Sequence, residues 1–143
     1  MAAKIDTFLA LIAAWKRKDI DAVLEFMDDE IVWHFAAGAE PPLKGKTQAR
    51  KFLSRFGAGM GEIRWRVFHH AESGDRLFVE GVDEFDTLDG KVVIAPYAGV
   101  IDFKDGRIVG WRDYVDLGVM TAQQAGQPIT AQVKDLSSLP AIA

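Results

Sequence analysis

The chain has 143 residues, 49% of them hydrophobic and 27% charged, with a formal net charge of -4. One domain of this length buries a core without disulfides or metals, and the absence of Cys excludes a disulfide framework, a thiolate metal site and a cysteine nucleophile. The acidic balance argues against nucleic acid as a partner, because phosphate binding draws on a basic surface, and no run is apolar and long enough to span a bilayer.

The first segment, KIDTFLALIAAWKR, puts Ile5, Phe8, Leu9, Ile12 and Trp15 on one helical stripe and closes on Lys16, Arg17 and Lys18, as suits a helix C-terminus. Asp6 precedes its apolar run and no clear basic start leads it, so it reads as a helix and not as a signal peptide. Asp19 stands as the N-cap of a second short helix, IDAVLEFM, and Asp28 to Glu30 is the break after it. EIVWHFAAG is β-rich and runs into the loop AEPPLKG. Thr47 caps a third helix, QARKFLSRF, with Ala49, Phe52, Leu53 and Phe56 spaced for burial, and GAGMG ends it. The basic residues around it, Lys44, Lys46, Arg50, Lys51 and Arg55, read as a solvated helix face.

From Glu62 onward strands follow one another: EIRWRVFHHAES, RLFVEGVDEFDTL, KVVIAPYAGVIDF and RIVGWRDYVDL. Their links, Gly74-Asp75, Leu88 to Gly90 and Lys104 to Gly106, are hairpin turn signals, so this half is an antiparallel meander. Residues 121–143 contain Gly126, Pro128 and Pro140, show weak periodicity and are expected to form an irregular tail with at most a helical turn. The whole reads as one α+β domain over residues 1–143, helices on one face of a curved antiparallel sheet. Such a cone has an open mouth that suits a small molecule.

Alternate residues of a strand share a face. In GWRDYVDLG, Asp113 therefore lies with Trp111 and Val115, and in RLFVEGVDEF, Asp83 lies with Leu77, Val79 and Phe85. Likewise Trp33 and Phe35 share a face opposite Val32 and His34, and Trp65 shares one with Ile63, Val67 and His69. The inward set is then Asp83 and Asp113 among Trp33, Phe35, Trp65, Phe85, Tyr97 and Trp111. Lone strand aspartates are usually solvated or paired with arginine, but Arg112 points away from Asp113 and cannot pair with it locally. Two carboxyls in a dry pocket push each other's pKa values apart, leaving one as acid and one as base. The three His lack ligand spacing, so no metal is expected, and no cofactor.

VWHF, the PPLKG loop, FHH, VEGVD and above all GRIVGWRDYVDL resemble the SnoaL-like branch of the NTF2-like superfamily, closest to its limonene-1,2-epoxide hydrolase group, over roughly residues 5–120. The resemblance implies a cone-shaped NTF2-like fold enclosing an apolar pocket. It also implies an Asp–Arg–Asp site in which Asp113 deprotonates water and Asp83 protonates an epoxide, with a Tyr and an Asn holding the water. Here the Arg falls on Gly81, and the Tyr and Asn fall on Trp33 and Phe35. Tyr97 supplies a replacement donor, and so does His34 if the first strand bulges.

Three readings follow. The first is a hydrolase of a small apolar epoxide. The second is a cofactor-free isomerase, dehydratase or aldol-type cyclase acting on a ring ketone or polyketide, which needs only one base and one donor. The third is a ligand-binding domain without chemistry. In each, Trp33, Phe35, Trp65, Phe85, Trp111 and His34 would line the ligand. The opposite sheet face carries Val92, Ile94, Pro96, Ala98 and Val100, apolar for a solvent face, so a homodimer packed sheet against sheet is expected. A cytoplasmic location is the expectation with which the lack of Cys is compatible.

Overall fold

The computed structural model describes residues 3–143. Helix α1 (Lys4–Lys16) buries Phe8, Leu11, Ile12, Ala14 and Trp15, the expected stripe with small shifts. Helix α2 (Ile20–Glu25) starts at its expected cap: the Asp19 carboxylate accepts the Ala22 N–H at 3.2 Å. Strand β1 (Met27–His34) begins earlier than the β-rich run suggested. Asp28 to Glu30 belongs to it, at an irregularity in pairing that turns these residues toward solvent. After β2 (Leu43–Lys44), helix α3 (Gly45–Ala58) starts two residues before Thr47. Gln48 Oε1 accepts the Lys44 N–H at 2.7 Å there, so Thr47 is not the cap.

The strands that follow are β3 (Met60–Ile63), β4 (Arg66–Ser73), β5 (Arg76–Thr87), β6 (Val92–Lys104) and β7 (Arg107–Val115). The stretch read as one strand, 62–73, is split at Arg64 and Trp65, and both halves pair with β5. Arg64 turns out to bond Asp86 at 2.6 and 3.0 Å while Trp65 turns into the core. A second irregularity between Val67 and His69 buries both Val67 and Phe68. His69, expected to face inward, is therefore exposed and meets Glu80 at 2.8 Å.

The sheet order is β2-β1-β7-β6-β5-β3, with β4 also on β5. The hairpins are antiparallel as read, and Asp105 (φ 52) with Gly106 (φ 79) makes the tight β6–β7 turn. The pairing of β1 with β7 is parallel, because the chain returns to the first strand only after a long excursion through α3 and the meander. Pairing shifts in the β1, β3, β4 and β7 ladders bend the sheet. Its concave side receives α1, whose Phe8 meets Trp65 and Trp111 edge-on at 5.6 and 5.4 Å.

The C-terminal stretch corrects the expectation of an irregular tail. It forms α4 (Leu117–Gln124), capped by Asp116, and α5 (Ala131–Ser137), capped by Thr130. Both helices are too short to show a clear apolar period, and tertiary contacts hold them. Gln123 accepts the Ile94 N–H at 2.7 Å and donates to the Ile94 carbonyl at 2.9 Å, closing the part of β6 that β7 does not reach. Arg66 Nη2 donates to the Ser137 carbonyl at 3.2 Å. Beyond α5, the Ile142 N–H reaches the Val67 carbonyl at 2.8 Å and the Val67 N–H reaches the Ala143 carbonyl at 3.2 Å. No helix among the described residues is long and apolar enough to cross a membrane.

Candidate active site

A cavity of about 120 Å³ opens between the concave sheet face and the helices. Asp83 on β5, Tyr97 on β6 and Asp113 on β7 line it, so three consecutive strands of the meander each contribute one polar side chain. Trp33, Phe35, Trp65 and Trp111 complete the sheet wall. The opposite wall comes from helices and includes Trp15, Phe52, Phe56 and Met120. The helical stripes of the sequence place the first three of these in the core, and Met120 falls between the last expected strand and the tail, where no pattern assigns it. An apolar stripe cannot tell core from cavity wall, because both exclude water in the same way.

The indoles are stacked. Trp65 and Trp111 lie 5.8 Å apart at 12°, and Trp111 and Trp33 lie 5.0 Å apart at 17°. Trp111 Nε1 donates to Asp113 Oδ1 at 2.8 Å, and Trp65 Nε1 donates to the Tyr97 hydroxyl oxygen at 2.6 Å. The Tyr97 hydroxyl therefore keeps its own proton free to donate. Glycines make room for both groups. Gly99 stands opposite Asp113 across the β6–β7 ladder, and an added Cβ there would lie 2.8 Å from Asp113 Oδ1. Gly81 stands opposite Tyr97 across β5–β6, and an added Cβ would lie 3.0 Å from its hydroxyl and 2.0 Å from the Arg66 carbonyl oxygen.

Burial pushes Asp83 up to about 6 from an ordinary 3.8. Burial also dominates at Asp113, and together with repulsion from Asp83 it outweighs the Trp111 N–H and carries Asp113 up to about 8. At neutral pH the pair thus holds one proton. Burial, then the neighbouring Asp113, pushes the Tyr97 phenol well above its usual range, so Tyr97 stays a neutral donor. Among the described residues no Lys, Arg or His lines the cavity. Among the described residues no three His, Asp or Glu side chains gather to hold a metal ion.

Residues 8–111 match the SnoaL-like domain family. The chain belongs to that family. Its fold is the NTF2-like fold, shared with an NTF2-like protein of unknown function from Burkholderia pseudomallei at 22% identity and a TM-score of 0.76, over 86% of this chain and 98% of that one. An LEH-like epoxide hydrolase from M. tuberculosis is 24% identical over 84% of this chain and 87% of its own, with a TM-score of 0.73. A putative SnoaL-like polyketide cyclase from Shewanella putrefaciens is 19% identical over 89% and 99%, with a TM-score of 0.77.

In this SnoaL-like domain seven of the nine expected site residues meet at the cavity; His34 and Phe85 do not. The irregularity in β1 lies upstream of Val32, so His34 keeps the strand's outward side, paired in register with Arg112. Phe85 lies two residues past Asp83, some 7 Å further along the strand. It is buried there against Phe56 at 5.9 Å and pairs with Ile63 of β3. The SnoaL-like domain also has no room for an arginine at Gly81, since the Arg66 carbonyl occupies the path of any side chain. The Tyr97 hydroxyl stands before Gly81 in its place and feels the charge of both aspartates.

Proposed function

We propose that this protein is a cofactor-free acid–base enzyme that moves a proton next to the carbonyl of a neutral cyclic substrate, as an isomerase or aldol-type cyclase. The observation that carries this reading is the cation-free trio of Asp83, Tyr97 and Asp113 in an aromatic cavity, with Gly81 closed to any side chain. An arginine that would hold two ionised carboxylates together is replaced by a phenol, and the pair keeps a proton of its own. The aromatic walls favour a flat, uncharged ring over an anion, which would find no basic partner there.

Asp113 is assigned as the base and Asp83 as the acid. By value alone, the proton would sit on Asp113. That value includes repulsion from an ionised Asp83, which vanishes when Asp83 is protonated, whereas the Trp111 N–H remains to stabilise a charged Asp113. Asp83 Oδ1 has no donor and is the costlier place for a charge. In the step proposed, Asp113 takes a proton from the carbon beside the carbonyl. The C–H electron pair moves to the carbonyl oxygen as an enolate, which accepts from Tyr97 O–H or the Asp83 carboxylic acid. Return of the proton to another carbon completes an isomerisation.

The test is hydrogen–deuterium exchange into enolisable mono- and bicyclic ketones in D2O, followed by NMR. Wild type should exchange and Asp113→Asn should not. The rate should peak between about pH 6 and about pH 8. Below that window both carboxyls hold protons and no base remains; above it both are ionised and no carboxylic acid remains. Epoxide hydrolysis is the second reading, favoured by the retained aspartate pair and its single proton. Diol formation from limonene oxide or styrene oxide without ketone exchange would put it first.

We also propose a homodimer through the outer sheet face. Helix α5 and the last residues cover part of that face, yet Phe78 and Val92 remain 40% exposed and Tyr114 54% exposed. Sedimentation at micromolar concentration should give twice the chain mass, and a monomer there would end the proposal.

A further inference from the structure

The three stacked indoles do not share the same fate. Trp65 gives its N–H to Tyr97 and Trp111 gives its N–H to Asp113. Trp33, next in the stack, is 6% exposed, and its Nε1 has no hydrogen-bond partner. Among the described residues the other buried side-chain polar atom left unpartnered is Asp83 Oδ1. Both residues line the same cavity. Buried donors and acceptors are almost always paired in folded proteins, because an unmade bond there is costly. One orphan donor and one orphan acceptor, both on residues that line one cavity, point to a ligand that both accepts and donates.

We infer that Trp33 is a catalytic residue whose indole N–H receives the substrate oxygen as it becomes an enolate, while the unpartnered Asp83 Oδ1 accepts a hydrogen bond from an enol or hydroxyl O–H of the same ligand, with no proton transferred to it. This deepens the acid–base reading above and rests on it. The substrate class narrows accordingly to a cyclic ketone or its enol, neutral in the ground state, whose oxygen gains negative charge during reaction. Donors aimed at developing charge in a water-poor site matter most in the transition state. Among the described residues no cation lines this cavity, so the indole N–H joins the Tyr97 phenol and the Asp83 carboxylic acid in that role.

A phenol carries an enol-like oxygen on a flat ring, so 2-naphthol is the probe, with naphthalene as its oxygen-free counterpart. The four tryptophans give four indole N–H resonances in 15N-labelled protein. On adding 2-naphthol, the Trp33 resonance should move furthest downfield and gain protection from solvent exchange, while naphthalene should move it little. Trp33→Phe keeps the stacked ring and removes only the N–H. It should weaken 2-naphthol binding about tenfold or more, leave naphthalene binding unchanged, and cut ketone-exchange kcat about 10- to 100-fold with little change in KM. A wild-type spectrum in which 2-naphthol binds without moving Trp33 would overturn the inference, whether or not the variant folds. Absence of ketone exchange together with a Trp33 shift would instead remove the acid–base reading and leave Trp33 as a binding donor.

Discussion

Replacing Asp113 with Asn will lower turnover by about a thousandfold or more and, in the same protein, raise the melting temperature at alkaline pH. Both effects come from one cause. Loss of a general base removes the group that takes the proton. The same carboxyl is a burden on the fold once it ionises. Its pKa is raised on folding, from an ordinary 3.8 to about 8, and that of Asp83 to about 6. A carboxyl raised in this way binds protons more tightly in the folded state. Its contribution to stability is therefore full below about pH 4 and is lost as the pH rises through the folded value. At pH 8.5 shifts of this size amount to several kcal/mol for the ionised pair. Asn carries no such charge and its side-chain oxygen can still accept the Trp111 N–H. Asp113→Asn and Asp83→Asn should then melt about 5–10 °C above wild type at pH 8.5, with a gain that shrinks toward zero near pH 4. Thermal melts across this range check the sign directly. An equal gain at both ends would mean that the aspartates are not held against their charge.

The two cavity glycines should separate stability from activity. Gly81→Ala places a methyl group 2.0 Å from the Arg66 carbonyl oxygen, and backbone must move to relieve it. Displacing β4 from β5 should cost at least about 3 kcal/mol, and the melting temperature should fall by 10 °C or so. Gly99→Ala meets only side chains, Asp113 Oδ1 at 2.8 Å and Val79 Cγ2 at 3.0 Å. Those can turn aside at a cost of about 1–2 kcal/mol. Turning Asp113 aside breaks its bond to Trp111 and misplaces the base, so turnover should fall about a hundredfold. Melting curves and exchange rates on the two variants decide the matter. If Gly81→Ala melts like wild type, β4 has room to move and the space for an arginine is not closed.

Some of this was readable in the chain and some was not, and the division has a physical basis. Local chemistry was readable. The Asp19 cap, the tight turn at Asp105-Gly106 and the stripe of α1 each depend on residues within a few positions of one another. The side-chain period of a strand is two, so the sequence settles that Asp113 shares a face with Trp111, and the bond between them follows from that adjacency. Alternation reports only a side, however. It carries no information on how far along the strand a residue sits relative to a cavity, and so it admitted Phe85, which lies in the core past the site. It also assumes an unbroken strand, and so it turned His69 inward, where the irregularity beyond Val67 turns it out. The parallel meeting of β1 and β7, the Gln123 grip on Ile94 and the docking of the last residues on Val67 join segments far apart in sequence. Only the folded sheet could bring Asp83, Tyr97 and Asp113 to one cavity from three strands, and close Gly81 with the carbonyl of Arg66, because cross-strand register, and not the order of residues, sets those distances.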